Sequence, residues 1–399
     1  MKIKNLHIKE FKGLRDISIN FEKNDKPLDL VVLAGSNGSG KTRVLESILD
    51  YFQKIVNHIE NENVAGVFFE TDEQNCLNQG YNSNMLYLIL NNYNDENIVE
   101  RGRKVVEENL KVFPKIIYVP TETNFQKVEI ASPMLVREYK FLNIVDTELI
   151  KDVPSYIATR IIEMANEQEN TPMQGIRAAV FKEINEIFEI LDLDIKISGI
   201  SKNAKSIPIF TNSAGDKFDI NELSSGEKQL FLRTLAIKML NPENSIILID
   251  EPELSLHPKW QQRIVDVYRK IGKNNQIIIA THSPHILGSV KKENIMLLDK
   301  DDEGKIVVKT GDELYDSYGQ PTERILEDIM GLKTTRNQEI FDRLKKIREI
   351  VNENKYETDE FKKDYTELKN LLGTTDEDIM LIDMEIQIRK KGLKNVKNM

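Results

Sequence analysis

The chain has 399 residues, of which 40% are hydrophobic and 30% are charged, and its formal net charge is −10. This length suits two or three domains, or one large domain with an insertion, and the negative charge argues against a general affinity for nucleic acid. The single cysteine, Cys76, excludes a disulfide framework within the chain. No apolar run approaches the roughly 20 residues that span a bilayer, and the N-terminus lacks the apolar stretch of a signal peptide. We therefore expect a cytoplasmic protein.

The first sixty residues place strands, a glycine-rich loop and a helix in immediate succession. Alternating apolar residues predict two half-buried strands at 3–11 and 14–21, and a nearly continuous apolar strand follows at 28–33. Apolar residues then recur at helical spacing from Val44 to Val56. Between strand and helix lies a segment that fits G-x-x-x-x-G-K-[ST], the P-loop or Walker A pattern: Gly35, Ser36, Asn37, Gly38, Ser39, Gly40, Lys41 and Thr42.

A loop of this kind binds phosphates. Its glycines let the backbone wrap closely around the anion, and the amides at the helix N-terminus point toward it. We expect Lys41 to reach the β- and γ-phosphates of ATP, and the hydroxyl of Thr42 to bind Mg²⁺. The alternative is a glycine turn that precedes a helix by chance. The strand and helix on either side of the loop argue against that alternative.

The middle of the chain interrupts the alternation of strands and helices. Residues 60–115 are polar and rich in asparagine, with a strand predicted at Met85–Leu90, and a short apolar strand follows at Ile116–Val119. Residues 121–222 are expected to form an inserted lobe. Within the lobe, one amphipathic helix should begin at Pro172 with Thr171 as its N-cap, and a hairpin should follow at 207–220.

The alternation resumes at Ser224. The predicted elements are a helix at 226–240, a strand at Ser245–Ile249, a helix at Pro258–Ile271, and strands at Gln276–Ala280 and Asn294–Leu298. Alternating strands and helices predict a parallel sheet with helices on its faces. After Gly331 the chain should be helical, with apolar stripes at 340–351 and 361–372. These stripes must be buried either in a core of their own or against a partner protein.

The strand Ser245–Ile249 ends in two adjacent carboxylates, as a Walker B strand does. Asp250 is expected to hold Mg²⁺, and Glu251 is expected to activate the attacking water as a general base. The alternative is a strand that leaves the sheet at an acidic turn. The P-loop earlier in the same chain argues against that alternative.

Two further motifs carry a resemblance to a known family. Leu223–Gln229 (LSSGEKQ) opens a helix and resembles the signature motif of ABC-type ATPases in the SMC and RecF branch, with Ser225 in place of the first glycine. The alternative for Ser224 is an ordinary serine N-cap. His282 matches the switch histidine of this family, and a buried structural histidine is the alternative. The run IILIDEPELSLHP, followed by ATHSPHIL, resembles ABC-type ATPases of the OLD, RecF and Septu kind.

The resemblance implies a fold and a set of roles. The fold would be α/β, a P-loop NTPase head of ABC type with a helical insert lobe and a helical C-terminal extension. Two heads would enclose ATP, with Ser224 and Gly226 of one protomer facing the γ-phosphate held by the other, and with His282 contacting the γ-phosphate. Gln126 is the candidate for the glutamine at the entrance to the lobe. The expected domains are the first half of the ATPase core at 1–120, the inserted lobe at 121–222, the second half of the core at 223–333 and the C-terminal extension at 334–399.

The parts that are missing limit the function. Only 180 residues separate Thr42 from Leu223, and no sustained heptads fill them, so long coiled-coil arms are excluded. OLD-type nucleases add a Toprim domain with metal-binding carboxylates. Asp299, Asp301 and Asp302 resemble such a set, but the turn Lys300–Gly304 accounts for them better. The chain is therefore expected to hydrolyse ATP and to cut nothing itself.

Three functions stay open at this stage. The resemblance to Septu-type ATPases, which act with a separate nuclease subunit, implies the ATPase subunit of an antiphage defence complex that controls a partner effector. A RecF-like DNA repair ATPase is the second, and an ATP-gated scaffold with little turnover is the third. Basic residues crowd the first strand and the last dozen positions, which keeps DNA open as a partner.

Overall fold

The computed structural model describes residues 1–56, 64–70, 114–121, 140–201 and 207–397. The chain divides into two structural units, Met1–Met330 and Gly331–Met399. Cys76, Gln126 and the strand predicted at Met85–Leu90 lie outside the described residues. None of the described helices is both long enough and apolar enough to cross a membrane.

Strands and helices follow one another as the apolar patterns predict for most of the first unit. Its strands are β1 (Lys2–Phe11), β2 (Leu14–Asn20), β3 (Glu22–Lys23), β4 (Lys26–Pro27), β5 (Leu30–Ala34), β6 (Val64–Glu70), β7 (Ile116–Val119), β8 (Leu142–Ile144), β9 (Lys196–Ile200), β10 (Pro208–Thr211), β11 (Lys217–Asp219), β12 (Ile246–Asp250), β13 (Gln276–Ala280), β14 (Ile295–Lys300) and β15 (Ile306–Thr310). Its helices are α1 (Lys41–Val56), α2 (Thr147–Glu167), α3 (Met173–Phe188), α4 (Ser225–Met239), α5 (Pro258–Gln261), α6 (Ile264–Arg269), α7 (Pro284–Gly288) and α8 (Thr322–Arg324), and a π-helical turn follows at Ile325–Ile329.

Seven of the described strands form a central sheet in the order β15-β14-β5-β13-β12-β7-β8. All neighbours in it are parallel except β14 and β15. Every residue of β5, β12 and β13 is buried, because apolar cores lie against both faces of the sheet. The carboxyl ends of these three adjacent strands therefore meet at one edge, where ligands bind in open α/β sheets. The predicted α/β fold is confirmed.

A smaller antiparallel sheet, β2-β1-β6, covers one face of the central sheet through helix α1. The two strands predicted at 3–11 and 14–21 are confirmed as β1 and β2, joined at Lys12-Gly13. Buried residues of α1, from Val44 to Phe52, share one core with both sheets. This packing fixes the N-terminus of α1, and hence the glycine loop before it, against the central sheet.

The opposite face of the central sheet carries the lobe that interrupts the core. Helices α2 and α3 and the sheet β11-β10-β9 share one apolar core with helix α4. The hairpin of β10 and β11 was predicted, but helix α2 was not. Edge strand β8 lies within the range 121–222 but pairs with β7 of the central sheet.

Two local predictions are wrong in detail. Helix α3 begins at Met173, and the N-cap position is Pro172, whose ψ of 140° is extended. Thr171 is therefore not the cap. The helix predicted at Pro258–Ile271 is divided into α5 and α6, because Gln262 and Arg263 break its regular hydrogen bonding.

The second unit consists of helices α9 (Gln338–Asn352), α10 (Asp359–Leu372) and α11 (Glu377–Lys397). The two predicted apolar stripes face a common core with α11, and the buried members of that core are Leu344, Ile347, Val351, Tyr356, Phe361, Tyr365, Leu368, Ile379 and Ile382. The stripes are therefore buried in a core of their own, and no partner protein is needed to cover them.

Candidate nucleotide site

The glycine loop lies between β5 and α1, where the sequence predicts it. Gly35, Gly38 and Gly40 have φ angles of 145°, 78° and 99°, which residues with a side chain rarely adopt. A Cβ on Gly35 would lie 2.3 Å from the carbonyl oxygen of Leu298, so no side chain fits there. Ser36, Asn37 and Gly38 are exposed at the tip of the loop. The loop therefore presents bare backbone to solvent at the N-terminus of a 16-residue helix.

Lys41 is buried, with 6% of its surface exposed, and its ammonium group is held by the loop itself. Its Nζ donates to the carbonyl oxygens of Gly35 at 2.8 Å and Ser36 at 3.0 Å. Burial lowers the pKa of Lys41, and the nearby carboxylates of Glu251, Glu253 and Asp250 oppose that shift. The positive charge thus sits beneath the open loop and faces a cluster of acidic groups.

The hydroxyl of Ser39 tests whether the loop suits an anion. Ser39 is 1% exposed, and its Oγ has no hydrogen-bond partner in the described part of the chain. A buried hydroxyl without a partner is costly unless a ligand satisfies it. Its place inside a glycine loop fits phosphate oxygens, which accept hydrogen bonds. The residues present therefore fit a nucleotide phosphate.

Thr42 and Asp250 form the part of the site that fits a metal ion. Thr42 Oγ1 lies 3.0 and 3.1 Å from the two carboxylate oxygens of Asp250. Thr121, which the sequence did not point to, donates to Asp250 Oδ2 at 2.7 Å. Burial raises the pKa of Asp250, and the hydroxyl groups of Thr121 and Thr42 oppose that shift.

This donor set suits Mg²⁺ bound together with phosphates. Mg²⁺ usually takes one or two protein ligands and completes its shell with water and phosphate oxygens. The described residues contain no group of three or more His, Cys, Asp or Glu that could hold a metal ion. A hydroxyl and a buried carboxylate beside a phosphate loop therefore fit a metal that arrives with the nucleotide.

Glu251 follows β12 directly and has a φ of 44°. For a residue with a side chain, such backbone strain costs about 1–3 kcal/mol and clusters at functional sites. Glu251 Oε1 lies 3.4 Å from Nδ1 of His282. The two side chains are 26% and 41% exposed, whereas the Nδ1 atom of His282 is buried and has no hydrogen-bond partner in the described part of the chain. His282 is not a buried structural histidine.

Glu253 positions the backbone next to His282, and the sequence did not single it out for this role. Its Oε1 accepts a hydrogen bond from the hydroxyl of Thr281 at 2.6 Å and one from the amide of His282 at 3.0 Å. The side chain is 7% exposed. Glu253 therefore links the loop after β12 to the end of β13, the two segments that carry the carboxylate and the imidazole.

Arg233 is a further residue that sequence patterns missed. It lies on α4 and is 1% exposed. Its guanidinium donates to the carbonyl oxygens of Glu251 at 3.1 Å, Pro120 at 3.1 Å and Thr121 at 3.0 Å. The available signal was an arginine within the mostly apolar segment from Leu230 to Leu240, where Thr234 and Lys238 are the other polar residues. Arg233 joins α4 to the ends of β7 and β12.

Ser224 is the N-cap of α4 and forms a capping box with Glu227. The amide of Glu227 donates to Ser224 Oγ at 3.4 Å, and the amide of Ser224 donates to Glu227 Oε2 at 3.1 Å. Ser224 and Ser225 are exposed, so the N-terminus of this 15-residue helix is open to solvent. Ser224 therefore caps the helix, and the start of the helix stays accessible to a ligand.

Gly226 packs against the loop that follows β12. A Cβ at this position would lie 2.6 Å from the carbonyl oxygen of Ser255, itself a residue with a positive φ of 62°. Any side chain would push the helix away from the segment Glu253–His257. Packing within one chain therefore requires a glycine at position 226, independently of any other contact it makes.

The basic residues of the first strand do not form a continuous positive surface. Lys4 pairs with Glu22 at 3.2 Å, and Lys12 pairs with Glu46 at 3.0 Å. Near the C-terminus, Arg389 pairs with Glu385 at 2.7 Å. Acidic partners thus neutralise part of each basic cluster, which weakens the electrostatic case for DNA.

The aspartates around residue 300 belong to a hairpin, as predicted. Asp299 pairs with Lys309 at 2.7 Å across the β14–β15 ladder. Asp301 Oδ1 accepts from the amides of Glu303 at 3.0 Å and Lys305 at 2.8 Å, which closes the turn. These contacts explain the local cluster of carboxylates as turn chemistry.

Two family models match parts of this chain. Residues 1–171 match a family described as an AAA ATPase domain. Residues 129–288 match a second AAA domain family, whose description also names AbiEii toxin and the Type IV TA system.

Individual relatives cover most of the chain. The Septu protein PtuA of Bacillus thuringiensis is 26% identical over 84% of this chain and 85% of its own length. The "Retron Vc95 probable ATPase" of Vibrio cholerae serotype O1 biovar El Tor is 24% identical over 75% of this chain and 74% of its own length. A crystal structure of an SMC head bound to the C-winged helix domain of ScpA overlaps 78% of this chain and 99% of its own, with 16% identity and a TM-score of 0.45. The sequence matches, together with the P-loop and the carboxylates at the end of β12, support an SMC- and OLD-like ATPase related to the ATPases of antiphage defence.

Proposed function

We propose that the chain binds ATP together with Mg²⁺ and hydrolyses it in a site shared by two protomers. The segment Gly35–Thr42 would hold the phosphates, and Lys41 would neutralise the charge that develops on them. Thr42 and Asp250 would hold the metal, which when bound shields the phosphate charge and orients the γ-phosphoryl group. The observation that carries the proposal is the contact of Thr42 with Asp250, which brings the Walker A and Walker B segments together.

The side chains around this contact suit attack by water. Glu251 would accept the proton of the attacking water, since its carboxylate is partly exposed and lies beside the metal-binding pair. His282, 3.4 Å from Glu251, would donate a hydrogen bond to the γ-phosphate or to the water. Arg233 and Glu253 would act as positioning residues, because they hold the backbone of Glu251 and His282 without occupying the side-chain groups that react.

The second protomer would complete the site with its helix α4. Ser224 and Ser225 are exposed at the start of this helix, and a helix N-terminus suits a γ-phosphate presented from outside. No hydrogen bond joins Ser224 or Ser225 to the glycine loop in the part of the chain that the structure describes. Contact between these two halves would therefore come from a neighbouring copy, as the family resemblance implies. Gly226 would allow this helix to lie close to the segment Glu253–His257.

The biological role that fits best is control of a partner effector, a separate nuclease, in bacterial antiphage defence. The support is similarity to a Septu protein and to a retron ATPase over at least 74% of both chains in each comparison. Co-expression of this chain with the products of the adjacent genes tests the role. Recovery of a nuclease bound to this chain, with cleavage that depends on ATP, is the expected outcome. A chain that purifies alone and shows DNA-stimulated turnover with steep salt dependence would favour a repair ATPase instead.

The enzymatic proposal is tested with Glu251→Gln. The amide keeps the size of the side chain but cannot accept a proton, so phosphate release should fall by about 10²–10⁴ while ATP binding remains. The trapped ATP should hold two protomers together, which sedimentation in the presence of ATP would detect as a larger species. Glu349→Gln, on an exposed face of α9, is the matched control. Normal turnover in Glu251→Gln would mean that another residue is the general base. Negligible turnover in the wild type would favour the ATP-gated scaffold.

A further inference from the structure

Helix α11 of the second unit has two apolar faces, and only one of them is buried. Ile379 and Ile382 lie in the core shared with α9 and α10. On another face, Leu381, Met384 and Ile388 are 57%, 56% and 67% exposed in the described chain. Large apolar side chains that line up on one exposed helix face indicate an interaction surface.

The exposed residues follow a heptad spacing with opposite charges at its two ends. Glu377, Leu381, Met384, Ile388 and Lys391 are separated by four, three, four and three residues, the spacing of a and d positions in a coiled coil. We call this row the α11 seam. Glu377 and Lys391 are exposed, and neither belongs to an ion pair within the residues that the structure describes. Each end of the seam therefore carries a charged side chain that forms no ion pair among the described residues.

The order of these charges distinguishes between partners. Glu377 and Lys391 each lie seven residues from Met384, the middle of the seam. If two copies of the helix were antiparallel about Met384, each Glu377 would face Lys391 of the other copy, at both ends of the pair. A parallel pair would instead place like charges together, which is destabilising. We propose that two copies of this chain associate through antiparallel pairing of their α11 seams.

This contact would differ from the proposed ATP-dependent one. None of the seam residues belongs to the nucleotide site, so pairing should need no ATP. Three apolar residues on each copy make a contact smaller than a standard stable interface, which buries about 1,600 Å². Association should therefore depend on protein concentration. A chain with both contacts would form assemblies larger than a dimer, since each copy could engage two different neighbours.

Sedimentation of the full-length chain without nucleotide tests the proposal over a range of protein concentrations. The wild type should shift from monomer to dimer as concentration rises. Met384→Glu would place two carboxylates at the centre of the pair and should weaken association at least tenfold. The control is Lys345→Glu, which replaces an exposed lysine of α9 with glutamate, as Lys391→Glu does in the seam. It should leave the association unchanged. A wild type that stays monomeric throughout, or a Met384→Glu variant that dimerises as the wild type does, would overturn the proposal.

Charge exchange tests the antiparallel arrangement. Glu377→Lys and Lys391→Glu should each weaken the dimer, because each places like charges together at both ends. The double variant carries both changes and restores opposite charges across the pair, so it should associate like the wild type. Circular dichroism of each variant establishes that the helices are intact. Two weakened single variants without recovery in the double variant would rule out the antiparallel pairing, and single variants that associate normally would rule out the seam.

Discussion

Arg233 donates a hydrogen bond of 3.1 Å to the carbonyl oxygen of Glu251, so helix α4 is tied to the backbone of the proposed general base. The same guanidinium binds the carbonyl of Thr121, whose hydroxyl donates to Asp250. One arginine thus supports both the carboxylate proposed to hold the metal and the carboxylate proposed to activate water. Because Ser224 lies at the start of the same helix, a contact there would be linked to the catalytic groups through Arg233.

Arg233→Gln should separate binding from turnover. The shorter amide cannot reach three carbonyl oxygens, and each unsatisfied buried acceptor costs about 1–3 kcal/mol. We expect kcat to fall at least tenfold, since the backbone of Glu251 loses its support, and the Kd for ATP to change less than about threefold (tenfold is about 1.4 kcal/mol). Equilibrium titration and phosphate release measure the two quantities.

The control for that change lies on the same helix. Lys238 pairs with Glu183, at 2.7 Å, and not with Asp250 or Glu251. Lys238→Gln should therefore leave kcat unchanged. If Arg233→Gln weakened ATP binding as strongly as turnover, the arginine would support the fold of the site in general and not the catalytic groups.

Lys41→Ala should abolish tight binding of ATP. It removes the ammonium group that the loop holds through the carbonyls of Gly35 and Ser36. Charge-assisted contacts are worth roughly 1.5–3 kcal/mol each, so affinity should fall by about ten- to a hundredfold. A fluorescent-nucleotide titration measures the change, and affinity equal to that of the wild type would remove the assignment of the loop as a phosphate site.

Lys115 should make stability depend on pH in an alkaline window. It is fully buried before β7, with Nζ 3.2 Å from the carbonyl of Asn241. Burial lowers the pKa of Lys115 from 10.5 to about 8. Between these two values the unfolded chain binds a proton that the folded chain has released, so the free energy of unfolding rises with pH in that range.

Lys115→Met removes this titration while keeping the size of the side chain. Between about pH 8 and 9.5, the wild type should gain up to about 2 kcal/mol relative to the variant, since one pKa unit corresponds to about 1.4 kcal/mol. Urea unfolding at the two pH values measures the difference. Parallel pH profiles for the two proteins would mean that Lys115 has an ordinary pKa in the folded chain.

The sequence predicted the parts of the site that depend on local order along the chain. The strands predicted at Ile116–Val119 and Gln276–Ala280 match β7 and β13 to the residue. Such strands are short, nearly continuous apolar runs bounded by polar residues, a pattern typical of buried parallel strands. The glycine loop follows β5 directly and Asp250 ends β12, so their position at one sheet edge could be anticipated.

The remaining features arise from contacts between distant segments. Thr121 lies 129 residues from Asp250, and Glu253 lies 28 residues from Thr281, so no local pattern joins them. Helix α2 escaped prediction because it contains Pro154, a residue that usually ends or kinks a helix, although its buried Ile150, Val153, Ile157, Ile161 and Met164 recur at helical spacing. The start of α3 was misplaced because Pro172 adopts an extended ψ and so precedes the helix.

The shared site can be tested with Ser224→Arg. The arginine would block the γ-phosphate held by the partner while leaving the glycine loop of its own chain intact. We therefore expect normal ATP affinity and a collapse of turnover in this variant. Normal hydrolysis by Ser224→Arg alone would mean that Ser224 serves only as the cap of α4.

Mixing Ser224→Arg with Lys41→Ala shows whether two protomers build one site together. A mixed dimer would contain one site with both lesions and one site with neither, so ATP hydrolysis should recover partially although each variant alone is inactive. Native mass spectrometry establishes that protomers have exchanged before phosphate release is measured. We expect the recovered activity to follow the fraction of mixed dimers. No recovery despite demonstrated mixed dimers would contradict a site that two protomers share.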